Sequence, residues 1–157
     1  MLWRTHFLTG VVAGLALNGA PDLKSSLLPA AVAGAAALLP DLDDPRSRLG
    51  RLIAPASWVV KVAVGHRGPL HSLVASAGAF LLVLALTRGD AALAAAAAAG
   101  YVSHLVADSL NPQGVPWLWP WAGRFGLPLV QTGSLLEKLA VVPLVLLLVA
   151  WEALKRF

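Results

Sequence analysis

The sequence predicts an all-α protein, an integral membrane bundle of about five helices. Three observations carry that prediction. Of the 157 residues, 58% are hydrophobic and 13% charged, against about 25% charged in an ordinary soluble domain, and the mean hydropathy is +0.74. Five apolar stretches lie at about residues 7–20, 27–39, 70–87, 91–110 and 135–154. All four histidines and five of the eight acids sit at ends of these stretches that an up-and-down topology brings to one side. The length corresponds to a single domain over residues 1–157.

The first stretch, 7–20, is short for a bilayer, which needs roughly 20 apolar residues per helix. Arg4, the apolar run and Ala20 loosely resemble a cleaved secretory signal. His6 at its start, and Gly10 and Gly14 at a spacing suited to close helix packing, argue instead for a retained helix. Asn18, Gly19, Pro21 and Asp22 mark a turn into the second stretch, 27–39. Either each of this pair is completed to a span by its polar-flanked ends, or the two form a shorter hairpin shielded by their neighbours. Pro40-Asp41-Leu42-Asp43-Asp44-Pro45 follows as a rigid acidic turn, and Leu52 to Val64 read as an interfacial helix.

The last three stretches are long enough to span. The third, 70–87, begins just after Pro69, a residue suited to the first turn of a helix, and ends in the tight turn Thr87 to Asp90. The fourth, 91–110, contains the run Ala94 to Ala99, a small-residue face for close packing. Residues 111–134 hold Trp117, Trp119 and Trp121, broken by Pro116 and Pro120. These are expected to anchor the chain at the membrane interface, the alternative being a lip around a lipid entrance. The fifth stretch, 135–154, follows.

The formal charge is +4 and the pI about 10.1. No basic patch carries the interleaved aromatics that single-stranded nucleic acid needs, so nucleic acid is not an expected partner. Lys and Arg at helix ends are explained by anionic headgroups and the positive-inside rule. Arg4, Arg46, Arg48, Arg51, Lys61, Arg67, Arg124 and Lys138 fall on the histidine-bearing side, against Lys24, Arg88, Lys155 and Arg156 on the other. That bias places the histidine side in the cytoplasm. The absence of cysteine excludes disulfides, Cys-ligated zinc and thiol catalysis.

Five spans bring together His6, Asp41 to Asp44, His66, His71, His104, Asp108 and Glu137. His104 and Asp108 are four apart, so a helix presents both on one face; alone, the pair fits a metal site or a proton relay equally. His66 and His71 flank a Gly68-Pro69 break, and Arg67 between them is suited to bidentate phosphate binding or to a headgroup. Three carboxylates within Asp41–Asp44 repel unless cations or arginines intervene, and Arg46 and Arg48 are the arginine-paired alternative. Glu137 can pair with Lys138 or face the site. A mixed imidazole and carboxylate set suits zinc, with manganese or iron next, and exceeds the three protein ligands of one catalytic zinc. Two or more divalent ions are therefore expected. Clustered ions activate a water and stabilise the attacking and leaving oxygens of a phosphoester.

Leu39-Pro-Asp-Leu-Asp43, Gly65-His-Arg-Gly-Pro-Leu-His-Ser-Leu73 and Gly100-Tyr-Val-Ser-His-Leu-Val-Ala-Asp108 resemble the signature blocks of the YdjM-like (LexA-regulated) membrane-bound metal-dependent hydrolases. Asn111-Pro-Gln-Gly-Val-Pro-Trp-Leu-Trp-Pro120, Glu137 and His6 continue the resemblance over residues 6–138. It implies hydrolysis. The His-x-x-x-Asp pair is also distantly similar to zinc-dependent phospholipase C and the S1/P1 nucleases, which implies phosphoester cleavage and a related helical arrangement. Members of the family carry His where this chain has Asp44, so Asp44 is the weaker ligand candidate.

The resulting expectation is a metal-dependent phosphoesterase acting on a lipid or lipid-linked substrate at the cytoplasmic face of a bacterial or archaeal membrane. His6, Asp41, Asp43, His66, His71, His104, Asp108 and Glu137 would hold the metals, with a bridging water as nucleophile. Arg67 would steady the anionic transition state, Glu137 or Asp43 would act as base, and Ser72 and Asn111 would orient ligands. The competing expectations are an ion or metal transporter, which needs polar groups continuing across the bilayer, and a structural membrane protein with a stabilising metal.

Overall fold

The computed structural model describes residues 1–17, 19–64, 68–121 and 123–157. Among them the architecture is all-helical: α1 (Trp3–Leu17), α2 (Leu23–Ala36), the short α3 (Arg48–Leu52), α4 (Ala54–Val64), α5 (Leu73–Leu86), α6 (Ala91–Ser109) and α7 (Val142–Leu154). Single 3-10 turns at Leu39–Asp43 and Pro69–His71 lead out of α2 and into α5. Extended pairing among the described residues is confined to one isolated bridge, Val115 with Phe125. The five apolar stretches correspond to α1, α2, α5, α6 and α7. Among the described residues two segments are long and apolar enough to cross a membrane, Leu23–Asp43 and Ala91–Ser109, so of the three stretches expected to span only the fourth reaches that length as a helix, and Leu73–Leu86 is a shorter apolar helix.

Local chemistry sets the helix ends. α1 stops at Leu17, before the positive φ of Gly19. Asp22 caps α2 by accepting the Ser25 N–H at 2.9 Å, and the Ser25 backbone and hydroxyl hold its carboxyl below the usual range. Ser72 and Asp90 cap α5 and α6 in the same way. Before α7 the chain makes a π-turn at Glu137–Val141, with the Val142 N–H on the Glu137 carbonyl. Pro143 lies just beyond and has no N–H to give to an i−4 bond.

The centre of the bundle is α6, which packs on α1, α2 and α5, while α7 packs on α1. Small residues make this approach close, as the Gly10 and Gly14 spacing leads one to expect. A Cβ on Gly10 would lie 2.6 Å from the Ala33 carbonyl oxygen, and one on Gly100 would lie 2.0 Å from that same oxygen. Thus α1 and α6 both meet α2 at Ala33, where backbones almost touch. The outer faces are apolar and exposed: Leu81, Leu82 and Leu86 on α5, Leu144, Leu147 and Trp151 on α7. On the expected interfacial helix, α4, Trp58, Val59 and Val62 are exposed as well.

The two connections are tied to the bundle. Trp117 is partly buried and its indole N–H donates to Ser109 Oγ at 2.8 Å, so it braces the loop, whereas Trp121 is exposed and fits the expected anchor. The segment after Phe125 folds back on the end of α6: the Leu127 N–H donates to the Ser109 carbonyl and the Val130 N–H to the Leu110 carbonyl. Carbonyls that a helix end leaves open are thereby satisfied, and the end of α6 bearing Asp108 is fixed.

Candidate metal centre

Residues from four places in the sequence converge at one end of the bundle. α1 supplies His6 from its first turns, the 3-10 turn after α2 supplies Asp41 and Asp43, and the 3-10 turn before α5 supplies His71. α6 supplies His104 and Asp108 from its last turns. His6, His71, His104, Asp43 and Asp108 are all buried. Asp41 is partly open.

His104 organises the centre. Its Nδ1 lies 2.8 Å from the Ala37 carbonyl oxygen. A carbonyl only accepts, so Nδ1 carries the hydrogen, and in the neutral ring Nε2 bears the lone pair. That lone pair faces His71 Nε2 at 3.3 Å, Asp108 Oδ2 at 3.8 Å and Asp41 Oδ1 at 4.0 Å. His6 stacks on the His104 ring with centroids 3.7 Å apart and places Nε2 3.3 Å from Asp108 Oδ1. Neither ring nitrogen of His6 has a hydrogen-bond partner among the described residues.

Two sets of donor atoms result, each within 4.8 Å: His6, His104 and Asp108, and Asp41, His71 and His104. The Asp108 carboxylate spans them, with Oδ1 toward His6 and Oδ2 toward His71 and His104. Buried imidazole nitrogens and carboxylate oxygens gathered in this way could hold a divalent ion. The Met1 backbone nitrogen also contacts Asp108 Oδ1.

The other predicted site residues divide. Asp43 lies behind His71, with Oδ2 3.3 Å from Nδ1, where a carboxylate orients a ligating imidazole. Asp44 accepts the Arg46 N–H at 3.0 Å and completes the local turn. Glu137 belongs to neither donor set; its carboxylate accepts the Leu2 N–H at 2.6 Å, the Thr5 hydroxyl at 2.7 Å and the Gly133 N–H at 2.7 Å. Ser72 caps α5 and donates to the Pro69 carbonyl at 2.6 Å. Asn111 braces the long loop, donating to Thr132 Oγ1 at 3.0 Å. His66 and Arg67 lie outside the described residues. Sequence reasoning missed the Ala37 carbonyl, which carries no side-chain signal, and Tyr101, whose hydroxyl donates to the Leu70 carbonyl and steadies the His71 turn. The aromatic next to Gly100 in the α6 block was the available clue to Tyr101.

A cleft of about 230 Å³ opens beside the centre, lined by Asp41, Asp44, Arg46, Arg48 and Arg51 among others. Among the described residues no ion pair joins these three arginines to a carboxylate, and Arg48 instead sits 5.1 Å over the Trp3 ring.

Comparison with known proteins gives a consistent assignment. The family model described as YdjM inner membrane protein matches residues 1–156. Inner membrane protein YdjM of Escherichia coli (strain K12) is 43% identical over 108 residues, 64% of this chain and 55% of that protein, as is the protein of the same name from Shigella flexneri. The match thus spans about half the length of these two relatives. Uncharacterized protein YvsG of Bacillus subtilis (strain 168) is 31% identical over 151 residues, 93% of this chain and 91% of that protein. No solved structure matches the chain.

Proposed function

The chain belongs to the YdjM inner membrane protein family, and from that premise we propose that it is a membrane-bound, metal-dependent phosphoester hydrolase acting on a lipid or lipid-linked substrate. One observation carries the reading: the His104 Nε2 lone pair, its direction set by the Ala37 carbonyl, points at an imidazole nitrogen and two carboxylate oxygens within 4.0 Å. Nothing in bundle packing requires that focus. His6, Asp41, His71, His104 and Asp108 would hold two divalent ions, zinc first. Such ions, when bound, lower the pKa of a water and stabilise the oxygens of a phosphoester in displacement.

The chain's own groups account for the rest. Asp43 orients His71, and the Ala37 carbonyl orients His104. Asp41 is the carboxylate of the centre that meets the cleft, and it is placed to take a proton from an attacking water; Glu137, with three donors upon it, and Asp43, behind an imidazole, are not. Arg46, Arg48 and Arg51 offer guanidinium groups to a phosphate entering there.

An ion path would need polar groups through the bundle. Below the centre α6 buries Ala94, Ala96, Ala97 and Gly100, and at the far end Arg156 is taken up by Glu152 and the Leu15 carbonyl. That favours an enzyme. The decisive measurement is metal content by elemental mass spectrometry on detergent-purified protein. Two equivalents of zinc or manganese are expected in the wild type, with loss of at least one in both His104→Ala and Asp108→Ala. Metal-free wild type after reconstitution with zinc and manganese would overturn the reading.

A further inference from the structure

Along α1, α6 and α7 runs a groove of about 510 Å³ whose upper end is lined by Met1, Thr5 and Ala107 and whose lower end by Leu17 and Ala99. The upper end abuts the metal centre: Met1 contacts Asp108, and Thr5 lies next to His6. Three hydroxyls line the groove, and all are turned away from it. Thr5 donates to Glu137, Thr9 to the His6 carbonyl at 3.0 Å, and Ser103 to the Gly100 carbonyl at 2.7 Å. The wall therefore presents methyl and methylene groups, with Val106 and Leu144 exposed beside it.

Length and charge define the occupant. From Thr5 to Leu17 the α1 stripe covers about 18 Å at 1.5 Å per residue, slightly more than half of a hydrocarbon core of about 30 Å. A chain entering at the metal end would thus cross one leaflet and reach just past the midplane. On the other side of Met1, which lines both hollows, is the arginine cleft with Asp41 at its edge. An apolar slot thus meets, across Met1, a cationic mouth beside the candidate metal ligands.

We propose that this groove binds the single hydrocarbon chain of an amphiphile whose phosphate lies in the Arg46, Arg48 and Arg51 cleft, against the metal centre. The proposal rests on the hydrolase reading for its chemistry, and it narrows the substrate to a phosphorylated single-chain lipid, or to one chain of a larger one. Because a bilayer is as apolar as the groove, selection comes from packing and from the head, not from the hydrophobic effect.

The test uses wild-type protein in phosphatidylcholine nanodiscs with a hexadecyl phosphate analogue carrying a photoreactive group at its chain end. Label is expected on Ala13, Leu17 and Ala99, at about ten times the yield on the outward Leu81, Leu82 and Leu86 of α5. Excess hexadecyl phosphate should displace it, and hexadecanol should not. Label spread equally over α5 overturns the groove. Equal displacement by hexadecanol overturns the role of the arginines, and Arg46→Ala with Arg48→Ala must lower the groove yield severalfold for that role to stand. Metal content of the same preparation separates the two claims: metal with diffuse labelling sinks the groove alone, and groove labelling without metal sinks the hydrolase reading alone.

Discussion

At the scale of single residues, Glu137, a ligand candidate from the sequence, has its buried carboxylate engaged by three donors, and a variant pair tests whether it binds metal or braces the start of α1. Its two oxygens take the Leu2 N–H, the Thr5 hydroxyl and the Gly133 N–H, which pins the start of α1 and so the position of His6 one residue after Thr5. Glu137→Ala leaves these donors without their acceptor in a buried place and should cost on the order of 3 kcal/mol, with partial loss of metal as His6 drifts. Glu137→Gln keeps the shape and one acceptor oxygen, so metal content should stay at the wild-type level while the thermal midpoint falls slightly. Metal lost as completely in Glu137→Gln as in His104→Ala would make Glu137 a ligand. The residue-level reading of the sequence worked where periodicity supplies the geometry: four residues on one helix put His104 and Asp108 together. It could not separate Asp41 from Asp43. They occupy one 3-10 turn, and only the tertiary positions of His104 and His71 assign one acid to each.

At the scale of elements, α2 is the surface on which the bundle is assembled. Its Ala33 carbonyl is the contact point for both Gly10 of α1 and Gly100 of α6, and one turn further on its Ala37 carbonyl fixes His104. Packing and site geometry are thus coupled across one helical turn, from Ala33 to Ala37 at the end of α2. Gly100→Ala places a Cβ 2.0 Å from backbone oxygen, which no rotamer change can relieve, and should destabilise by about 1–3 kcal/mol. The same displacement of α6 should lower zinc affinity without touching any ligand, whereas Gly78→Ala on α5, where a Cβ meets nothing within 4 Å, should leave metal content as it is. Isothermal titration of zinc into the two variants checks this; equal affinities would show that α2 does not transmit packing to the centre. The Gly10 and Gly14 spacing was legible because it repeats along one helix. Gly100 carried no such signal, since its partner is a backbone atom 67 residues away in sequence, between Ala33 and Gly100. The ends of α1 and α7 also departed from the apolar stretches, because Gly19 conformation and the π-turn before Pro143 decide them, and hydropathy does not register either.

At the scale of the whole molecule, the arrangement of charge predicts which way the protein sits. The metal end carries Arg46, Arg48 and Arg51 in its cleft, and the far end carries Arg88, Lys155 and Arg156. Counted on the topology expected from the full sequence, the bias toward the metal end is eight to four, from which the positive-inside rule predicts a cytoplasmic centre. Yet the three cleft arginines are the groups assigned to phosphate binding, and without them the bias is only five to four. Orientation is therefore a test of whether they also act as topogenic charge. The chain has no cysteine, so single cysteines report without a background. Lys61→Cys at the metal end should resist a membrane-impermeant maleimide in intact spheroplasts and react after lysis. Arg88→Cys, in the exposed turn between α5 and α6, should react in both. Repeating the pair with Arg46, Arg48 and Arg51 all changed to Gln separates the two roles. An unchanged pattern assigns these arginines to the site, because the remaining charge then suffices to orient the bundle. Mixed labelling of Lys61→Cys would mean that the same guanidinium groups orient the protein and serve its substrate. Labelling of the metal end from outside in the parent protein would place the centre on the opposite face, and its substrate would then have to be drawn from the outer leaflet.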